Sequence, residues 1–180
     1  MMKLSLPTYS SALNLPKTIE AQTGLDCQLE PALHGFSLSQ DSNDWYSRND
    51  CLRPGLSLSV LKADLYSHFQ LVAEAQSCSM LRFTFCLSGS LSVNYRSASN
   101  PLNITAHQSF LSATGGPVQL TSEFAAHQSL LLIRIDISPQ LFKSLVGSRF
   151  KALAPDIRAI STGRQSGCCW QSSSLSAAAK

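Results

Sequence analysis

Between Leu56 and Ile137 apolar residues recur at every second position, in short runs divided by turn-forming residues. This is the period of a strand with one face buried. "LSLSVL" puts Leu56, Leu58 and Val60 on one side, just after a break at Pro54-Gly55. "HFQLVAE" groups Phe69, Leu71 and Ala73 against His68, Gln70 and Glu74. In "MLRFTFCL" one face carries Leu81, Phe83, Phe85 and Leu87, and the other carries Met80, Arg82, Thr84 and Cys86. "LSVNYR" aligns Leu91, Val93 and Tyr95, and the "SGS" between these two runs predicts a tight hairpin. "QSFLSA", "VQLTSE" and "HQSLLLIRIDI" continue the series, with turn material at "SASNPLN" and Gly115-Gly116-Pro117. Turns at intervals of about eight to twelve residues predict an antiparallel sandwich or barrel.

At "SPQLFKSLVG" the period changes. Ser138 is a good N-cap, and Pro139 suits a first helical turn, where its missing N–H costs nothing. Leu141 with Leu145, and Phe142 with Val146, are four apart, and Gly147 can end the helix. The β unit is therefore followed by at least one amphipathic helix.

The flanks lack such patterning. Residues 1–50 carry Pro7, Pro16 and Pro31 without a sustained period, which predicts an irregular arm, with "PKTIEAQTG" a short helix from Pro16. Residues 151–180 end in the Ser-rich "ISTGRQSGCCWQSSSLSAAAK". They read either as a bland tail or as the product of a truncation or frameshift. The expected organisation is an arm over 1–50, a mainly β domain with its following helix over 51–150, and a tail over 151–180, with one or two C-terminal helices.

Composition narrows the function classes. A chain of 180 residues, 44% of them hydrophobic, can build one real core. Its 14 Lys and Arg stand singly among 11 Asp and Glu, without the basic stripe of a nucleic-acid surface. None of the six cysteines forms a C-x-x-C pair, which fits reduced thiols in the cytoplasm. Apolar runs fall short of the roughly 18 residues of a membrane span, and the start makes a poor signal peptide.

Candidate chemistry is sparse. His34, His68, His107 and His127 each stand alone, outside any H-x-H strand spacing, so neither metal nor cofactor is expected. No G-x-S-x-G, P-loop or G-x-G-x-x-G is present. Arg134 and Asp136 lie two apart and predict a same-face ion pair. What remains is an aromatic interior. Phe83 and Phe85 on one strand, Tyr95 on the next, and Phe69 read as the lining of a small-molecule pocket, with ordinary core packing as the alternative. Trp45, in "SNDWYSRNDCLRPG", is placed as a lid over that pocket. Arg53 and Arg82 are candidate anchors for an anionic ligand, although Arg82 also reads as a solvent-side strand residue.

Three stretches, "CLRPGLSLSVLKADL", "LRFTFCLSGSLSV" and "LLLIRIDISPQLFKSLV", together resemble the N-terminal regulatory domain of AraC-type transcription regulators, in the branch of the pyochelin-type siderophore regulators. "RPGL", the strand ending in "LSG", and "IDISP" running into a helix carry the likeness, over about residues 48–155. The resemblance implies a cupin-like jelly-roll, or β-sandwich barrel, that senses a small molecule and helps form a dimer. An iron–siderophore complex is the first effector it suggests. In that family a separate C-terminal domain with two helix-turn-helix units binds DNA, and this sequence carries no such pattern. The expectation is a regulatory domain without its own DNA reader, able to pair with itself or with a full-length relative. A metal-free cupin-like enzyme or metabolite-binding protein is the alternative, and an inert remnant is a third.

Overall fold

The computed structural model describes residues 2–6, 27–30, 35–40, 43–75, 80–95, 101–115, 118–153, 155–162 and 167–174. Strands β1 (Met2–Leu6), β2 (Cys27–Glu30), β3 (Gly35–Gln40) and β4 (Asn43–Arg53) come first. The series continues with β5 (Leu56–Leu65), β6 (Phe69–Ala75), β7 (Met80–Ser88), β8 (Ser90–Tyr95) and β9 (Leu102–Thr105). β10 (Gln108–Gly115), β11 (Val118–Phe124) and β12 (Gln128–Ile137) complete the central set. Helix α1 (Pro139–Val146), a 3₁₀ turn (Gly147–Ala152), helix α2 (Pro155–Ser161) and β13 (Gly167–Ser174) follow.

The strands form two sheets, in the orders β13-β10-β7-β12-β5-β4-β3-β2 and β1-β6-β11-β8-β9. Within them the runs β10-β7-β12-β5 and β6-β11-β8-β9 interleave strands distant in sequence. That is the doubly crossed order of a jelly roll, so the fold is mainly β and cupin-like. All pairings are antiparallel except β1 on β6.

The inner faces of the two sheets meet in one apolar core. Phe69, Leu91, Val93, Tyr95, Ile104 and Phe124 come from the smaller sheet. Trp45, Leu61, Ala63, Leu65, Cys86, Phe110, Leu130 and Leu132 come from the larger. The rings of Trp45, Phe69 and Phe124 lie 5.2–5.9 Å apart, with Trp45 edge-on to Phe124. Full burial of one such side chain is worth about 1.5–3 kcal/mol, so this cluster contributes substantially to stability. A second cluster lies on the outside of the larger sheet. There Leu81, with Phe83, Leu111 and Ile137, packs under Phe142 of α1 and Ile157 of α2.

Several sequence expectations are corrected. Residues 43–50, placed in an irregular arm, are part of the 11-residue strand β4, and 2–6, 27–30 and 35–40 are also strands. The apolar period is missing from β4 because its inner face alternates Trp45 with Ser47, Asn49 and Cys51. The Ser-rich tail forms β13, which pairs with β10 from Gly167 to Ser174. The predicted helix at Pro16 and the break at Gly116-Pro117 lie outside the described residues.

Ser88-Gly89-Ser90 is not a hairpin. β7 pairs with β10 and β12 in one sheet, while β8 pairs with β9 and β11 in the other, so the segment is a corner between sheets. Gly89 turns it at φ +77°, and a Cβ there would stand 2.8 Å from the Ser129 carbonyl oxygen. Gln128 pins the corner: its Oε1 accepts from the Ser90 N–H at 2.8 Å, and its Nε2 donates to the Ser90 carbonyl at 2.8 Å. Positive-φ turn chemistry serves a sheet switch as readily as a hairpin, and local sequence does not separate them.

Candidate functional site

The larger sheet's inner face changes character along its strands. At one end it is the apolar core. At the other, toward the Pro54-Gly55 turn, cross-strand register lines up polar side chains. Arg134 sits opposite Thr84 on one side and Ser59 on the other, and Ser59 opposite Asn49. One rung nearer the rim, Asp136 lies between Arg82 and Ser57, and Arg82 also faces Ser112. Strand alternation puts all of these on the face that carries Leu130, Leu132 and Cys86.

Arg82 and Asp136 form a two-pronged pair, with Nε donating to Oδ1 at 2.6 Å and Nη2 to Oδ2 at 2.9 Å. Such a planar fork is the strong geometry for a desolvated carboxylate, and the Asp136 side chain is only 7% exposed. Ser59 Oγ donates to Asn49 Oδ1 at 3.0 Å. Thr84, 1% exposed, has a hydroxyl without a hydrogen-bond partner, and so has the buried indole N–H of Trp45. A buried polar group left unmatched costs roughly 1–3 kcal/mol, so natural cores rarely keep one without a use. Asn49, Ser57, Ser59 and Arg134 are half-buried and Cys51 is exposed, so the region opens toward the rim at Pro54-Gly55.

The residues picked from sequence divide between the two sides of the shell. Trp45, Phe69 and Tyr95 lie between the sheets, at 7%, 6% and 4% exposure. Trp45 is a packed core member rather than a lid. Phe83 and Phe85 are on the opposite, outward face of β7, and the Phe83 ring lies 6.4 Å from Phe142 of α1. The inward face of β7 is Arg82, Thr84 and Cys86. Apolar periodicity misled here because both faces are covered, one by a sheet and the other by helices. Arg82 is thus an inward ion-pair residue rather than a solvent-side one, while Arg53 is exposed beside the rim turn. Asp136 pairs with Arg82 of the neighbouring strand. The signal for this polar end was present as Arg82, Thr84, Arg134 and Asp136 at alternate positions, but only the pairing of β7 with β12 joins them.

Burial raises the Cys86 thiol above its ordinary pKa by desolvation. His107 and His127 are exposed residues in left-handed turns, at φ 63° and 57°. Among the described residues no group of three His, Cys, Asp or Glu comes together to hold a metal ion. Nor is any helix among them long and apolar enough to cross a membrane.

Solved structures similar to this chain include three proteins. A cupin domain of Cnp3 from Schizosaccharomyces pombe is 12% identical, with TM-score 0.42 over 60% of this chain and 73% of that one. The pirin YhhW from Escherichia coli, in complex with nickel(II), is 10% identical, with TM-score 0.49 over 78% of this chain. This chain spans about half of the pirin's length, 54%. KdgF from Halomonas sp. is 11% identical, with TM-score 0.38 over 62% of this chain and 86% of that one. No curated protein matches the sequence. The model of one family, described as the regulatory protein PchR N-terminal domain, matches residues 43–180, from the first residue of β4 onward. The chain belongs to the PchR N-terminal regulatory domain family.

Proposed function

We propose that this is the effector-sensing domain of an AraC-type transcription regulator, acting in the cytoplasm. It holds a small molecule between its two sheets and leaves DNA reading to another domain or to a partner. The observation that carries this reading is a regulatory-family domain whose inner face is apolar at one end and polar at the other. Pockets that hold small ligands combine apolar walls with a few fixed polar groups. Trp45, Phe69 and Tyr95 supply the apolar side of the inter-sheet space, and the effector's body contacts them. Ferric siderophore complexes are the first effectors to try. The domain also pairs, with a second copy or with a full-length relative.

Polar groups inside the shell are what the enzyme alternative also requires. Asp136, the one carboxylate in the polar set, has both oxygens on the Arg82 guanidinium. That arrangement serves structure better than proton transfer, so sensing is the reading best supported.

The test is a melting-temperature and Trp-fluorescence screen of the purified chain against ferric siderophores and a broad metabolite panel. A ligand at about 100 times its Kd adds roughly 2.7 kcal/mol of stability. A panel-wide absence of any shift rejects sensing. Size-exclusion chromatography with a full-length relative tests pairing, and a strictly monomeric profile with no co-elution rejects it.

A further inference from the structure

Resting on the pairing in that reading, we propose that the outer face of the larger sheet is the surface on which two copies of this chain dock. On that face Phe85 of β7, Ile133 of β12 and Val60 of β5 form one rung. Ile135 and Leu58 stand opposite each other on the next rung of that face, and Leu131 lies on the rung to the other side. All six are half-buried. Among the described residues they belong neither to the core between the sheets nor to the cluster under α1 and α2. The helices sit to one side, on Leu81 and Phe83 of β7 and Leu111 of β10. Leu87, 37% exposed, extends the apolar area along β7. Three strands by six residues make roughly 14 by 20 Å, or about 300 Å² in plan. That is the size at which an apolar patch marks an interaction site.

The border of the patch selects the partner. On the β4 side, Arg48 stands opposite Val60 and Asp50 opposite Leu58, and Arg48 Nε lies 2.8 Å from Asp50 Oδ2. Both side chains keep partial exposure, 41% and 24%. Farther along β5, Lys62 and Asp64 are 3.9 Å apart. Both signs thus alternate along the border, which suits neither a polyanion nor a partner of single charge. It suits a two-fold axis. Arg48 and Asp50 occupy the two central rungs of the patch, one on each side of its middle. A second copy turned end for end about that middle sets Arg48 of each copy against Asp50 of the other, and Ile133 against Ile135. A flat sheet face is matched by another sheet face about 10 Å away. With β4 included the area is about 400 Å² in plan, short of the roughly 800 Å² per partner of a standard interface, so the pairing is weak and concentration-dependent.

The experiment is analytical ultracentrifugation of the whole chain across the micromolar range at low salt, with far-UV circular dichroism to confirm that each variant folds. The parent chain should pass from monomer to dimer as concentration rises. Ile133→Lys and Val60→Lys, at the centre of the patch, should each weaken the dimer by about a hundredfold or more. Arg48→Asp and Asp50→Arg lie on the border and put like charges face to face, so each alone should weaken it by about tenfold. An equimolar mixture of those two charge variants should form a mixed dimer at least as tight as the parent's. A parent that stays monomeric throughout overturns the proposal, while the ligand screen still decides sensing. A dimer that withstands both lysine variants, or a mixture no tighter than its components, overturns this surface and leaves pairing in place. A monomeric parent that co-elutes with a full-length relative, and ceases to do so with Val60→Lys, assigns the face to that relative and overturns docking of two copies.

Discussion

The backbone N–H of Ser138 donates to the Gly55 carbonyl at 2.7 Å, so the turn that opens β5 also seats the start of α1. Ser138 Oγ in turn accepts from the Leu141 N–H at 3.3 Å as the helix N-cap. Gly55 holds φ +79°, and a Cβ there would fall 2.4 Å from Ser138 Oγ. The two short motifs, "RPGL" and "ISP", thus meet at the rim of the shell.

Ser138→Ala should cost about 1 kcal/mol through the lost cap. Gly55→Ala should cost more, since it adds both a left-handed Ala and the clash with Oγ. The double variant should be less destabilised than the sum of the singles, because removing Oγ relieves part of that clash. Urea unfolding of the four chains checks this, and strict additivity would count against the contact.

Removing one partner of the Arg82–Asp136 pair strands the other on a largely dry face. Asp136→Asn should cost about 2–4 kcal/mol, somewhat reduced by the partial exposure of Arg82. Replacing both, as Arg82→Met with Asp136→Leu, should recover most of that loss. Equilibrium denaturation measures each step. A single variant as stable as the parent would mean that the fork contributes nothing.

The two faces of β7 give opposite spectroscopic outcomes. In a Trp170→Phe background, Phe69→Ala should shift the emission of Trp45, whose ring it touches at 5.2 Å. Phe83→Ala should leave that emission in place and instead speed amide exchange in α1. Each truncation should cost about 3 kcal/mol or more. An emission shift from Phe83→Ala would place that ring inside the shell after all.

Cys86 sets a pH limit. Its thiol pKa is raised in the folded chain by desolvation, so the unfolded chain loses the proton first as pH climbs. The stability it contributes is complete below the ordinary thiol range of about 8.5 and is lost as pH rises through the folded value. Cys86→Val should flatten the alkaline side of the stability profile. An unchanged slope would show that other groups set it.

Much of the fold was legible because alternation and turn residues are local signals. β6 and β8 keep the faces their sequences predict, and Ser138-Pro139 starts a helix as written. In β5, by contrast, the inner face is Ser57, Ser59, Leu61, Ala63 and Leu65, and Leu56, Leu58 and Val60 lie half-buried on the other. The misses share a cause. Whether Gly89 makes a hairpin or a corner, and which side of β7 is the inside, depend on strands far away in the chain. Periodicity shows that Leu81, Phe83 and Phe85 are covered, but not by what. The polar end was hidden for a related reason, since Arg82 and Asp136 are 54 residues apart and only β7–β12 pairing brings them together. β13 could not be read from its Ser-rich sequence, because its pairing with β10 is made by the backbone.

In β7 and β12 consecutive residues serve two different neighbourhoods: 82, 84, 134 and 136 look into the shell, and 81, 83 and 137 look out at the helices. Two tasks are thus written on one ribbon in alternate letters. Substitutions at the even-numbered letters therefore act on the interior of the shell and leave the odd-numbered ones, with the helices they hold, untouched.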